Sequence, residues 1–282
     1  MGVSANTLLA AAVRRLDAAG VPEPAIDARR LLAHALAVDP GRLTLALAGA
    51  VPPEVAGSFE TLVERRVSRV PLSHLTGRRA FWGRDFVVSA AVLDPRPETE
   101  VMIDAALQGS FSDVLDLGTG SGCILVTLLA DRPTARGVGV DISRAALAVA
   151  VENARRHGVA DRAMFACSDW FSAVGGTYDL IVANPPYIAA EEMAGLSPEV
   201  RDHEPRLALT DDSDGLSSYR TILRQARPYI RPGGRLMLEI GAGQGEAVTA
   251  IARGEGFADL RILPDLDGKD RVVVLEWQHS GR

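Results

Sequence analysis

The chain has 282 residues, 47% hydrophobic and 23% charged, and this ordinary composition excludes collagen, coiled coil and intrinsic disorder. Its charge is uneven: residues 1–80 carry 10 Arg and 7 acidic residues, whereas residues 81–282 carry 20 basic and 29 acidic residues. The acidic larger part is a poor surface for holding a long nucleic-acid duplex through its phosphates.

The sequence gives no sign of export or of a metal centre. Cys123 and Cys167 form no CxxC pair and the histidines are not clustered, so we expect neither a disulfide framework nor a metal site. Apolar stretches end well before about 20 residues and no secretory leader is visible. We therefore expect a cytoplasmic protein without a membrane span, and a monomer because no heptad pattern is present.

Helical spacing dominates the first part of the chain. Ser4 is a suitable cap for a helix that stops at Gly20, and Pro24 and Pro53 suit the first positions of two further helices. The sequence therefore predicts a small helical domain over residues 1–79.

The pattern changes near Arg79, where two short apolar runs flank Gly83 and Arg84, as in a β-hairpin. From Asp113 onward, β-branched runs alternate with helical stretches, which is typical of a parallel sheet covered by helices. The second domain is therefore predicted to be α/β and to span residues 80–282. Its sheet strands are predicted at 113–117, 136–141, 163–167, 179–183, 234–240, 258–263 and 271–277.

A glycine-rich turn follows the first strand of this sheet. It contains Gly118, Thr119, Gly120, Ser121 and Gly122 and leads into a helical stretch. Glycines let the backbone turn tightly and approach a ligand, with the helix amides facing that ligand. The spacing is G-x-G-x-G, which differs from the dinucleotide fingerprint, and a plain structural turn is the alternative.

Acidic residues follow the next two strands. Asp141 lies about 20 residues after the turn, where a carboxylate can accept both hydroxyl protons of a ribose; its alternative role is to cap the helix near Ser143. Asp169 and Trp170 offer a carboxylate for an adenine amino group and a ring for its face, although Trp170 equally suits a core position. Together these residues favour a nucleoside ligand.

The fourth strand leads into Asn184-Pro185-Pro186-Tyr187. The Asn184 side-chain oxygen and the Pro185 carbonyl are both acceptors and can hold the two hydrogens of one NH2 group. An amide nitrogen is a weak nucleophile because its lone pair is delocalised, so fixing it close to an electrophilic methyl group suits catalysis by positioning. Tyr187 can form a pocket wall. Alone, the tetrad could be a proline-rich turn.

The motifs DLGTGSG, VDIS, SDWF and VANPPYI, in this order and spacing, resemble those of class I S-adenosylmethionine-dependent amino methyltransferases. The segments PLSHLTGRRAFWGRDFVV, LDPRPETE, EVRDHEPRLALTDDSDGLSSYRTIL, LEIGAGQGEAV and DLDGKDRVVV make the chain similar, from about residue 5 to 277, to the peptide chain release factor glutamine N5-methyltransferase family. This resemblance implies a Rossmann-like, seven-stranded class I methyltransferase sheet preceded by a helical N-terminal substrate-recognition domain and a β-hairpin linker.

The resemblance also implies a cofactor, S-adenosyl-L-methionine, which leaves as S-adenosyl-L-homocysteine. The turn over residues 118–122 would surround its methionine part, Asp141 would bind the ribose, and Asp169 and Trp170 would lie near the adenine. Asn184 would contact both cofactor and substrate.

The substrate implied by the resemblance is the glutamine of the Gly-Gly-Gln loop in class I release factors, whose methylation modulates translation termination. Asn184 and Pro185 would hold its carboxamide, with Pro186 in the same motif and Tyr187 packed beside it. The protein partners are then release factors, without stable nucleic-acid binding.

Five residues upstream of the sheet have two interpretations each. Arg96, Pro97 and Thr99 either close over the cofactor, as the resemblance implies, or form a surface turn. Phe81 and Trp82 either flank the substrate entrance or pack within the hairpin.

His203 and Glu204 lie beyond the tetrad in a polar segment. Such a pair is usually solvated, so we assign neither residue a catalytic role.

Two other functions remain open. A DNA adenine or rRNA guanine amino methyltransferase would share the motifs, with a flipped base stacking on Tyr187, but the acidic second domain counts against it. A non-catalytic nucleoside-binding module, whose helical domain docks a partner, would bind cofactor without a methyl acceptor.

Overall fold

The computed structural model describes residues 3–277, which form two compact units. The first unit is the chain up to Arg78 together with Ser197–His203, and the second comprises Arg79–Leu196 and the chain from Glu204 onward. The first unit is therefore discontinuous in sequence. The outer limits of the predicted domains, residues 1 and 282, lie outside the described range. Within that range no helix is long and apolar enough to cross a membrane.

The first unit is helical. Ser4 caps the first helix, its hydroxyl accepting a hydrogen bond from the Thr7 amide, and Pro24 and Pro53 begin two further helices, as predicted. Leu16, Leu32 and other apolar side chains of these helices form one buried cluster. The helices of this unit are α1 (Ala5–Ala18), α2 (Pro24–Ala35), α3 (Leu43–Ala46), α4 (Pro53–Val67), α5 (Leu72–Thr76) and, from the later segment, α9 (Pro198–His203).

A buried ion cluster links α9 to the other helices of the first unit. Arg66 Nε donates to Asp27 Oδ2 at 2.7 Å and Arg66 Nη1 donates to Glu199 Oε1 at 2.9 Å. Arg69 adds two hydrogen bonds to the same Glu199 carboxylate, at 2.7 and 2.8 Å. Burial alone would raise the pKa of Glu199, but the hydrogen bonds from Arg69 and Arg66 outweigh it and lower the pKa to about 2.

The second unit contains the predicted hairpin and an α/β sheet. The hairpin strands are β1 (Arg78–Phe81) and β2 (Arg84–Val87). The sheet strands are β3 (Asp113–Leu117), β4 (Arg136–Asp141), β5 (Ala163–Cys167), β6 (Tyr178–Ala183), β7 (Ile230–Glu239), β8 (Asp259–Pro264) and β9 (Asp270–Glu276). The helices are α6 (Glu100–Leu107), α7 (Cys123–Asp131), α8 (Arg144–Arg156), α10 (Arg206–Leu209), α11 (Ser217–Ala226) and α12 (Gly245–Gly254).

The seven strands lie in the order β5-β4-β3-β6-β7-β9-β8. Strands β3 to β7 pair in parallel and β9 is antiparallel to both its neighbours. The chain order reverses at β3, which has β4 on one side and β6 on the other. In open α/β sheets a ligand binds beyond the carboxyl ends of the strands at such a switch point. The topology therefore predicts a ligand site among the residues that follow β3, β4, β5 and β6.

The strand predictions agree closely with the structure, with one difference of several residues. β3, β4 and β5 have the predicted limits, whereas β7 begins at Ile230 instead of residue 234. The segment Pro232-Gly233-Gly234 resembles a turn, yet Ile230 still pairs with Tyr178 before the register shifts. The shift in register accommodates these turn-like residues within the strand.

The sheet separates two apolar clusters. Val114 of β3 belongs to one, whereas Leu115 and Leu117 belong to the other, because successive side chains of a strand point to opposite faces. Both faces are covered by helices, which explains why the central strands read as continuous apolar runs.

Candidate active site

A cavity of about 300 Å³ lies beyond the carboxyl ends of β3 to β6. Its size is at the lower end of the range typical of small-molecule sites. It brings together most of the residues singled out from the sequence. Its lining includes Gly118, Thr119, Gly120, Ser121, Asp141, Asp169, Trp170, Asn184, Pro185 and Pro186, together with Arg96, Thr99 and Leu207.

The glycine turn has a left-handed backbone conformation that is unfavourable for residues with a side chain. Gly118 and Gly120 have φ of +68° and +55°. A Cβ at Gly120 would meet no atom outside the turn within 3.9 Å, so the backbone surface stays open to a ligand. Gly122 does not line the cavity; a Cβ there would lie 3.1 Å from the Ala150 side chain, so this glycine permits close packing against α8.

Asp116 stabilises the glycine turn from the interior of the protein. Its Oδ2 accepts a hydrogen bond from Thr119 Oγ1 at 2.6 Å, and its Oδ1 has no partner among the described residues. The side chain is completely enclosed, and burial raises its pKa to about 7. The carboxyl therefore stabilises the turn without facing the ligand directly.

Asp141 joins the turn to the end of β4. Its Oδ2 accepts from the Gly120 amide at 2.9 Å and its Oδ1 accepts from the Ser143 amide at 2.8 Å. Ser143, and not Asp141, is the side-chain cap of α8, since its hydroxyl accepts from the Ala146 amide. Each carboxylate oxygen retains an acceptor site, so Asp141 can still receive two hydroxyl protons.

Trp170 and Asp169 form another part of the lining. Trp170 has φ of +46°, a left-handed conformation that is costly for a bulky residue and that tends to persist at ligand sites. Its ring lies 3.8 Å from the position a Cβ on Gly118 would occupy. Trp170 is half-buried and faces the cavity, whereas Asp169 is exposed.

The Asn-Pro-Pro-Tyr tetrad is divided between the cavity and the core. Asn184, Pro185 and Pro186 line the cavity, and Tyr187 does not. The Tyr187 carbonyl accepts from Gln244 Nε2 at 2.9 Å, and burial raises the pKa of Tyr187 to about 12. The tetrad therefore contributes Asn184 and the two prolines to this cavity, and not the Tyr187 ring.

Several site residues were missed or misjudged from sequence. Thr99 is 2% exposed, so the surface-turn interpretation is wrong for it. Glu204 is 7% exposed and bonded to Arg96, so the expectation of a solvated acid is also wrong. Burial raises the pKa of Glu204 to about 7. Glu239, at the end of β7, was not singled out from the sequence. An acidic residue that ends an apolar strand at its carboxyl end is the pattern by which it could have been found.

The hairpin aromatics pack within the second unit. Phe81 is 2% exposed and its ring makes an edge contact with Phe86, with centroids 6.0 Å apart. Trp82 Nε1 donates to Asp131 Oδ2 at 2.8 Å. These contacts support the packing interpretation.

The lining fits S-adenosyl-L-methionine. The turn leaves an open cradle at Gly120, Trp170 offers an aromatic face, and Asp141 keeps acceptor sites for a ribose. Asn184, directly after β6, lines the same cavity.

Known proteins resemble the chain along nearly its whole length. The model of the PrmC N-terminal domain matches residues 7–77 and that of the methyltransferase small domain matches residues 80–197. A release factor glutamine methyltransferase from Cereibacter sphaeroides is 58% identical, covering 94% of this chain and 95% of the relative. One from Rhodospirillum rubrum is 44% identical, covering 95% and 83%.

The chain belongs to the release factor glutamine methyltransferase family. Membership confirms the resemblance drawn from the motifs, and the family depends on S-adenosylmethionine. The fold recurs in a methyltransferase from Pyrococcus furiosus, with a TM-score of 0.56 at 15% identity over 76% of this chain and 98% of the other. It recurs also in the hMettl16 catalytic domain, with a TM-score of 0.57 at 15% identity over 80% and 82%. These two likenesses concern the fold alone.

Proposed function

We propose that this protein transfers a methyl group from S-adenosyl-L-methionine to the side-chain amide nitrogen of the glutamine in the Gly-Gly-Gln loop of class I release factors. The observation that carries the proposal is the pair of acceptors at Asn184 and Pro185 beside a cavity that fits the cofactor. Curated relatives named release factor glutamine methyltransferase support it across 94% of the chain.

The residues around the cavity would hold the cofactor in parts. The turn over residues 118–121 would receive the methionine moiety, Asp141 the ribose hydroxyls, and Asp169 with Trp170 the adenine. When bound, the cofactor supplies an electrophilic methyl group on a sulfonium. Gly122 supports the turn by packing, and Tyr187 supports the tetrad from the core.

The glutamine nitrogen is a poor nucleophile because its lone pair is delocalised into the carbonyl. Asn184 Oδ1 and the Pro185 carbonyl would each accept one N–H hydrogen, which fixes the nitrogen and leaves its face toward the methyl group. The new N–C bond would form as the methyl–sulfur bond breaks, and positive charge would develop on the nitrogen next to these two oxygens until it gives up one N–H proton to water. Catalysis would then rest on positioning and electrostatic stabilisation.

The helical domain over residues 1–79 would recognise the release factor, because one glutamine side chain offers little specificity. We expect the enzyme to act as a monomer in the cytoplasm, where release factors meet ribosomes. Stable nucleic-acid binding is not expected, since residues 81–282 carry more acidic than basic residues.

Methyl transfer can be tested with the purified full chain, labelled S-adenosylmethionine and a class I release factor. We expect label in the wild-type factor and none in a factor whose loop glutamine is changed to alanine. Equal labelling of both factors, or labelling of DNA or rRNA while the factor stays blank, would contradict the proposal.

A pair of enzyme variants shows whether the tetrad carries the reaction. Asn184→Ala should abolish transfer, whereas Gln108→Ala, which removes an exposed carboxamide after α6, should leave it unchanged. Normal turnover by Asn184→Ala would remove this residue from the reaction.

A further inference from the structure

A short chain of hydrogen bonds runs from the cavity into the interior of the second unit. Asn184 Nδ2 donates to Thr99 Oγ1 at 3.4 Å, and Thr99 Oγ1 donates to Glu239 Oε2 at 2.6 Å. Thr99 and Glu239 are almost fully enclosed, and Asn184 is half-buried at the cavity wall. The three side chains therefore connect a buried carboxylate to the group proposed to hold the substrate.

Because a hydroxyl has a single proton, the hydrogen bonds from Asn184 to Thr99 and from Thr99 to Glu239 run in one direction. Thr99 has one O–H proton, and its short bond to the Glu239 carboxylate uses that proton. Toward Asn184 the Thr99 oxygen can then act only as an acceptor. The carboxamide of Asn184 must turn its amino group to Thr99, which leaves Oδ1 as the group available to the cavity.

We propose that Thr99 and Glu239 are positioning residues, which fix the Asn184 carboxamide so that its oxygen, and not its amino group, meets the NH2 group of the substrate. The inference rests on the proposed glutamine methylation and adds to it the control of orientation. A carboxamide has nearly the same shape in either orientation, so packing alone selects neither. A rotated Asn184 would set its amino group against the NH2 group of the substrate and its oxygen against Thr99 Oγ1, which is enclosed and has no second proton to donate.

The three side chains of this hydrogen-bond relay, Asn184, Thr99 and Glu239, come from separate parts of the second unit. Ala183 of β6 pairs with Leu238 of β7, so Asn184 and Glu239 follow at the carboxyl ends of neighbouring strands. Thr99 comes from the turn before α6, 140 residues from Glu239 in sequence. The second carboxylate oxygen, Oε1, has no partner among the described residues, although it is buried. A buried acid with a single side-chain partner is expensive, which suits a role in orienting that partner.

The orientation can be read without any assay of methyl transfer. The chain has three asparagines, Asn6, Asn153 and Asn184, so selective 15N-asparagine labelling gives at most three side-chain NH2 signals. Asn184→Ala identifies one pair by its loss. In the wild type this pair should exchange with water more slowly than that of exposed Asn6, and Thr99→Val should remove the protection. Unchanged exchange in Thr99→Val would overturn the relay.

Turnover supplies a second readout, with two matched variants. Thr99→Val should lower kcat on the release factor about tenfold or more while the KM for the release factor changes little, and Thr99→Ser, which keeps the hydroxyl, should restore most of the loss. Thr249→Val removes an equally buried hydroxyl that bonds only within α12 and should behave as wild type. Wild-type kcat in Thr99→Val would overturn the proposal.

A double substitution tests the direction of the chain. Asn184→Asp leaves two carboxylates competing for the single Thr99 proton, so kcat should fall. Adding Glu239→Gln lets the new amide donate to Thr99 and frees the hydroxyl to donate to the new aspartate. Glu239→Gln should therefore raise kcat at least threefold in the Asn184→Asp background and lower it when Asn184 is present. If Glu239→Gln fails to raise kcat in the Asn184→Asp background, the proposed relay is wrong.

These measurements separate the relay from the proposed function. If the wild-type enzyme fails to label the release factor, glutamine methylation is wrong, yet the exchange of the Asn184 NH2 group still decides the orientation. If labelling succeeds and all Thr99 and Glu239 variants match the wild type, the function stands and the relay fails. Burial raises the pKa of Glu239 to about 7, so the assays belong at pH 8.5, where the carboxyl is ionised.

Discussion

The Asp141 carboxylate accepts a hydrogen bond from the Gly120 amide at 2.9 Å, and this contact ties the end of β4 to the glycine turn after β3. The same side chain thus shapes the turn and offers the acceptors proposed for the ribose. A single substitution should disturb both.

Asp141→Ala should lower the affinity for S-adenosylmethionine by at least tenfold, because it removes the two acceptors proposed for the ribose and loosens the turn. Equilibrium dialysis with labelled cofactor measures this directly. Asp161→Ala, an exposed acid in the loop before β5, is the control and should bind as the wild type. An unchanged dissociation constant for Asp141→Ala would exclude Asp141 from the cofactor site.

Two buried threonines near the turn should respond to valine in opposite directions. Thr127 Oγ1 in α7 is buried and has no partner within residues 3–277, so Thr127→Val should keep or raise the free energy of unfolding, by up to about 1 kcal/mol. Thr119 Oγ1 donates to buried Asp116, so Thr119→Val should lower it by about 1–3 kcal/mol. Denaturant titration of both variants checks the contrast, and a loss in Thr127→Val as large as in Thr119→Val would contradict it.

The ion cluster of the first unit should make its helices sensitive to acid. The folded pKa of Glu199 is about 2, below the ordinary value of 4.5, so the carboxylate contributes stability above pH 4.5 that is lost as pH falls toward 2. Glu199→Gln should cost about 2 kcal/mol at pH 7 and much less near pH 2.

Circular dichroism of the helices, followed through unfolding at both pH values, tests this expectation. Glu60→Gln breaks an exposed ion pair with Arg15 and should change stability by less than about 0.5 kcal/mol. A Glu199→Gln cost that is equal at pH 7 and near pH 2 would show that the carboxylate charge is not what stabilises the cluster.

Glu239 should have the reverse pH dependence. Burial raises its pKa from 4.5 to about 7; Thr99, Arg271 and Arg96 partly oppose the rise and Glu98 adds to it. The folded state then favours the protonated carboxyl, so its contribution to stability is present below pH 4.5 and is lost as pH rises through 7.

Relative to Glu239→Gln, the wild type should therefore lose on the order of 1–3 kcal/mol between pH 4.5 and pH 8. Other titrating groups, including Tyr187 and Tyr219 beside Glu239, are present in both proteins and largely cancel in the comparison. Parallel stability curves for the two proteins would show that Glu239 titrates normally.

Much of the fold was predictable because it depends on local patterns. Pro24 and Pro53 begin helices where their missing N–H costs nothing, and the predicted limits of β3, β4 and β5 match the structure to the residue. The rule that ligands lie beyond the carboxyl ends of parallel strands brought distant motifs together around one cavity.

What sequence patterns missed depends on tertiary burial. The bond between Thr99 and Glu239 joins residues 140 positions apart, and no periodicity encodes such a pairing. Glu204 lies among polar residues, yet the fold encloses it against Arg96. The packing of Tyr187 beside the substrate stays a prediction, since Tyr187 lies outside the lining of the described cavity.

The discontinuity of the helical unit has a consequence for biosynthesis. Arg66 and Asp27 lie 39 residues apart in sequence, but Glu199, the shared partner of Arg66 and Arg69, is translated about 130 residues later. The nascent helices must wait for most of the sheet to be made before their cluster is complete. A fragment ending at Arg78 would keep Arg66, Arg69 and Asp27 but lose Glu199, the carboxylate that both arginines share.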